Sequence, residues 1–233
     1  MNNLSILQAL VFEPRKAFAE LDARPRFAWP LWLLVFTSMV TMLWYVNFVD
    51  LEWLSFQETS QSPLAANMTD EEVALRARTA AEQPGLQKVV RTVFAGVIVL
   101  IGMLISSLYY LLAGKITGTD RSFRHWMAMS AWASLPNALA LVPAAIVLLT
   151  STSAQLPNEA LQPLSLNELL FHRESGQTGY VLAAQLNVWN FVTLYLATVG
   201  VKTWSGRSWL YSFLFTALPL LLIVGIWALF ALR

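Results

Sequence analysis

Long apolar runs without charge alternate along this chain with short segments that hold nearly all of its charged residues. The runs fall at about 29–49, 92–113, 126–150, 180–201 and 209–232. Each is long enough to cross a bilayer as a helix, for which about 20 apolar residues suffice. In hydrocarbon every backbone polar group has to be satisfied within the protein, which restricts spanning segments without strand alternation to helices. The pattern therefore predicts an all-α polytopic membrane protein with five transmembrane helices. It divides the chain into an N-terminal segment, 1–28, and a membrane domain, 29–232.

The third run organises the rest. From Phe123 to Thr150 it opens on Arg124, His125 and Trp126 and then carries no charge, but Pro136, Asn137 and Pro143 interrupt it. A proline removes a backbone donor and clashes one turn back, so a kink is expected there. Ser130, Ser134 and Ala138 recur every four residues and give a narrow face for close helix contact. In the fourth run Ala183, Asn187, Asn190, Leu194 and Ala197 share a stripe. Consecutive elements usually pack together, so the amides of Asn187 and Asn190 are expected to face the kink at Pro136 and Asn137. These four residues form the candidate polar core. In the second run Ala95, Gly102 and Ser106 make a stripe of small residues.

Ahead of the first run, Leu4 to Phe12 is apolar but too short for a signal peptide, and Glu13 follows at once. From Glu13 a helix is expected, with Pro14 in its first turn and Pro25 beyond its end. Ala17, Phe18 and Leu21 share one side of it, while Arg15, Lys16, Glu20 and Asp22 point elsewhere. Two readings fit. The helix lies in the headgroup layer, with Phe12, Pro14, Phe18 and Leu21 as interfacial residues, or it packs under the bundle. In the acidic loop that follows the first run, Thr69-Asp70-Glu71-Glu72 is a capping box opening a helix that Pro84-Gly85 ends. Acids in a first turn are favoured by the helix dipole, which explains this cluster without a metal. Asn67-Met68-Thr69 has the form of a glycosylation acceptor. Ser165 to Glu168 is a second capping box, starting a short helix (Leu166, Leu169, Leu170, His172) expected on the outer membrane surface.

Composition narrows the functional classes. Apolar residues make up 57% and charged ones 12% of the 233 positions, the latter about half the share of a soluble domain. The chain has no cysteine, which excludes disulfides, thiolate metal sites and cysteine nucleophiles. No basic stripe fits nucleic acid, and no metal or cofactor site is expected. Lysine and arginine number nine in the N-terminal segment and the second and fourth loops, against six on the other side; acids number four and ten. The rule that cytoplasmic loops are basic places the N-terminus in the cytoplasm and the C-terminus outside. It also puts Trp29, Tyr109, Tyr110, Trp126, Trp204, Trp209 and Tyr211 at the cytoplasmic interface.

Four short motifs, taken in order, resemble the Yip1 domain family: Phe12-Glu13-Pro14 with Phe18 and Leu21; Gly118 with Ser122-Phe123-Arg124; Ala133-Ser134-Leu135-Pro136; and a fourth span with Trp189 and Gly200. The resemblance covers most of the chain and implies five spans, a cytoplasmic N-terminus and a home in the bacterial inner membrane. Eukaryotic members act in vesicle traffic and contact small GTPases through a long N-terminal region; here that region is about 28 residues. The favoured function is a non-catalytic, membrane-organising or trafficking-type scaffold. Its partners would be the lipid bilayer and other membrane proteins or further copies of itself. The alternative is a transporter or channel for a small molecule or lipid, using a polar site between the third and fourth spans. Against transport, no ionisable residue lies deep in a span. Against an enzyme, there is no Gly-x-Ser-x-Gly serine and no HExxH.

Overall fold

The computed structural model describes residues 1–62, 65 and 68–231. Asn67 of the glycosylation pattern and Leu232 at the end of the fifth run lie outside them. The described residues form helices α1 (Asn3–Phe12), α2 (Pro14–Ala23), α3 (Ala28–Phe48), α4 (Leu51–Ser60), α5 (Asp70–Ala81), α6 (Pro84–Thr117), α7 (Phe123–Ala133), α8 (Leu141–Thr150), α9 (Tyr180–Gln185), α10 (Val188–Ser205) and α11 (Trp209–Ala231), and no strand. The fold is all-α.

Among the described residues three helical stretches are long and apolar enough to cross a membrane: Ala28–Phe48, Pro84–Thr117 and Phe123–Thr150. The second is much longer than the apolar run that predicts it. Pro84 opens α6 at its first turn, where a missing N–H costs nothing, and the helix continues to Gly118, whose φ of 74° ends it. The third stretch is broken where its prolines demand. After α7 a 3-10 turn, Leu135–Ala140, carries Pro136, and α8 resumes with Pro143 in its own first turn. The fourth run is divided into α9 and α10 at Leu186 and Asn187.

The chain forms two compact units. Unit 1 comprises Met1–Val35, Val99–Leu139 and Asn187 onward; unit 2 comprises Phe36–Ile98 and Ala140–Leu186. Unit 1 buries Ile6, Phe18, Leu21, Trp126, Met129, Trp132, Val199, Val201 and Trp204 in one core. Unit 2 centres on Tyr45, Val46, Leu54, Ala144, Leu148 and Leu161. There the Tyr45 hydroxyl donates to Leu156 O (2.8 Å), and Arg91 grips Glu58 through two 2.7 Å hydrogen bonds. The acids of 70–72 open α5, with Thr69 and Glu72 closing the expected capping box. Among the described residues no three of His, Asp and Glu gather as metal ligands would. α4, not foreseen in the loop, starts at Asp50, whose carboxylate accepts from the amides of Glu52 and Trp53.

Candidate functional site: an anchored hairpin and a polar seam

Both features lie in unit 1. Asn2 caps α1 by accepting from the Ser5 amide at 2.7 Å. The chain reverses at Glu13, and Pro14 starts α2 at its first position. Ala17, Phe18 and Leu21 are fully buried. Four polar contacts fasten this hairpin. The Trp204 indole donates to Phe18 O (2.8 Å), and the Trp132 indole donates to Arg26 O (2.7 Å). His125 Nε2 meets Asp22 O at 3.1 Å. Arg121 donates from Nε and Nη2 to the two carboxylate oxygens of Asp22, at 2.5 and 2.9 Å. That hydrogen bond pushes the Arg121 pKa up, so its charge persists at any accessible pH. Of the two readings of α2, packing against protein is the one the geometry carries, because the side bearing Phe18 and Leu21 has no surface left for lipid. Pro14 is half-buried, and Phe12 is 82% exposed.

Behind the hairpin stands an aromatic cluster. The Trp126 ring lies 5.3 Å from Trp204, 5.7 Å from Phe215 and 5.8 Å from Tyr110. Trp126 and Trp204 are core residues, not free anchors at an interface; Trp29 and Trp209 remain exposed. Charge pattern alone cannot distinguish an aromatic at membrane depth facing lipid from one facing protein.

The polar seam consists of direct hydrogen bonds between helices. Ser107 Oγ donates to Ser130 Oγ (3.2 Å), Thr198 and Thr216 share a hydrogen bond of 2.8 Å, and the Tyr109 hydroxyl donates to Phe215 O (2.6 Å). Asn137 Nδ2 donates to Ser134 O and to Thr193 Oγ1, both at 2.9 Å. Asn137 thus meets the fourth run, but through Thr193. Asn187 and Asn190 form the N-terminal cap of α10. The Asn187 amide donates to Asn190 Oδ1 (2.7 Å), and the Asn190 amide to Asn187 Oδ1 (3.2 Å). Pro136 sits half-buried in the 3-10 turn beside Asn137. Thr193 is one position off the stripe of Asn190 and Leu194, and in the sequence Asp22 is marked only by its place on the polar face of α2.

These contacts join segments far apart in sequence. Phe18 lies on Gly200, Asp22 pairs with Arg121, and the Trp132 indole donates to Arg26 O. An all-α fold with three membrane-length apolar helices among the described residues defines an integral membrane protein of the helical-bundle class. The Yip1 domain model matches residues 8–231, nearly the whole chain, and the chain belongs to the Yip1 domain family. No curated protein and no solved structure matches it significantly.

Proposed function

We propose that this protein is a non-catalytic scaffold that organises the cytoplasmic membrane of a bacterium through helix–helix and helix–lipid contacts. In this reading it has five spans, with α9–α10 as the fourth and α11 as the fifth. Its N-terminus is cytoplasmic and its C-terminus lies outside. The observation that carries the reading is the polar seam of unit 1, in which three side-chain pairs, Ser107 with Ser130, Asn137 with Thr193 and Thr198 with Thr216, hydrogen-bond directly between elements. Polar groups paired in this way hold helices in register. A transport path needs groups that exchange partners with a passing solute, which favours the scaffold over the alternative of a transporter centred on Asn137.

Reconstitution tests the choice. Purified protein in liposomes loaded with small polar dyes should leak no faster than protein-free vesicles, while crosslinking in native membranes should trap stable protein partners. Saturable flux that Asn137→Leu abolishes would replace the scaffold with the transporter.

A further inference from the structure

Helix α1 carries no charge between Asn3 and Phe12 and is apolar on both sides. One side, Ile6, Ala9 and Leu10, is buried in the unit 1 core. On the other, Leu4, Val11 and Phe12 are 64%, 67% and 82% exposed; together with Gln8 they fall within an arc of about 100° at helical spacing. An apolar face of this kind in water is unfavourable. Ten residues make a helix only about 15 Å long, half the hydrocarbon thickness, so α1 is unable to span. After Glu13 and Pro14 come Arg15 and Lys16, both exposed on α2, with Lys16 Nζ 3.4 Å from the exposed Glu13 carboxylate. The Arg15 guanidinium lies 5.4 Å over the ring of Trp209, itself 44% exposed. Among the described residues of unit 1, Lys and Arg number nine and Asp and Glu four; in unit 2 they number five and ten. The exposed apolar face thus belongs to the basic unit, with cations and an interfacial-type tryptophan at its C-terminal end.

We infer that α1, with Arg15 and Lys16, is a docking surface for anionic phospholipid: Leu4, Val11 and Phe12 enter the acyl boundary and the two cations hold headgroup phosphates. This assigns the membrane-inserted face to α1, whereas the sequence leaves α2 either in the headgroup layer or packed under the bundle. Basic residues beside an inserted apolar helix are attracted to the negative surface of anionic leaflets. The inference requires that the chain sit in a membrane but does not depend on the proposed scaffold role, number of spans or orientation.

The absence of cysteine allows a direct test on the full chain in nanodiscs of phosphatidylcholine with or without phosphatidylglycerol. Single variants Val11→Cys, Phe12→Cys, Ala19→Cys and Leu104→Cys receive a fluorophore, and quenching by lipids brominated near the headgroup end of the acyl chain is measured. Labels at 11 and 12 should be quenched at least half as strongly as the one at 104, on the outer face of α6, and the label at exposed Ala19 much less. Quenching at 11 and 12 no greater than at 19 overturns the inference, as does crosslinking of Phe12→Cys to a second copy in place of quenching. Arg15→Gln with Lys16→Gln should lower the ratio of bound phosphatidylglycerol to phosphatidylcholine, read by native mass spectrometry, at least twofold. An unchanged ratio refutes the assignment of anionic lipid.

Discussion

Phe18 of α2 lies directly against Gly200 of α10: a Cβ placed on Gly200 would stand 3.0 Å from Phe18 Cδ1 and 3.1 Å from Met129 Sδ. Gly114 is tighter still, since a Cβ there would meet Thr119 O at 2.7 Å and Trp126 Cζ2 at 2.8 Å, whereas Gly102 has nothing within 4 Å. Alanine in a helix gains about 1 kcal/mol over glycine in propensity, and overpacking costs about 1–3 kcal/mol. Met129 has a flexible side chain that can yield; a backbone carbonyl and a buried indole yield far less. Thermal unfolding in detergent should therefore rank the variants: Gly102→Ala at or above the parent, Gly200→Ala slightly below, and Gly114→Ala lowest by about 2 kcal/mol. A Gly114→Ala protein as stable as the parent would remove the close approach of α6 to α7.

The Asp22–Arg121 pair ties the N-terminal hairpin to the start of α7. It is bidentate and its two side chains are about one-third exposed, so it is worth on the order of 1 kcal/mol, the upper end for a partly solvated pair. Asp22→Asn and Arg121→Gln should each lower stability by about that much, and the double variant by less than their sum. Fully additive losses in this cycle would show that the two side chains do not interact.

Local chemistry was the part of this structure most legible in the sequence. Thr69 and Glu72 form their capping box and Pro136 breaks the third stretch because both effects act within one helical turn. The partner of Asn137 was harder to read. It depends on which face α10 turns toward the 3-10 turn, and the seven-residue stripe through Asn190 and Leu194 does not include Thr193, whose hydroxyl accepts from Asn137. The pair Asn187 and Asn190 has the same three-residue spacing whether it forms a stripe across a helix or a cap at its start. Nothing in the sequence marks which. Phe18 and Leu21 show the same limit, since an amphipathic helix has one signature whether its apolar side meets lipid or protein.

Topology offers a third test. Lys16, Gln61, Asp120 and Asn158 are all exposed, whereas Thr119 is buried against Tyr211 and would label poorly. In intact cells an impermeant maleimide should modify Gln61→Cys and Asn158→Cys but leave Lys16→Cys and Asp120→Cys untouched until the membrane is opened. A reporter joined after Arg233 should be active outside. Modification of Asp120→Cys from outside would contradict the proposed orientation, and an inactive C-terminal reporter would contradict the fifth span.

The last prediction separates capping from ligand binding at the start of α10. In the structure Asn187 acts through its side-chain oxygen, which accepts the Asn190 amide at 3.2 Å, while the Asn190 side chain returns to the Asn187 amide at 2.7 Å. Serine and aspartate cap helices about as well as asparagine, and apolar residues cost about 1 kcal/mol at such a position. If capping is the role, Asn187→Ser and Asn187→Asp keep thermal stability near the parent's and Asn187→Leu lowers it by about that amount. A site that binds a solute through the amide gives a different order. There Ser and Leu both abolish binding or cellular activity, Leu because it has no polar group and Ser because one short hydroxyl does not present the amide's separate carbonyl and NH2, and Asp fails by carrying charge. The expected result is the capping order in melting temperature, with activity following stability. A stable Asn187→Ser protein without its cellular activity would show that the amide, and not the cap, is what the protein uses there.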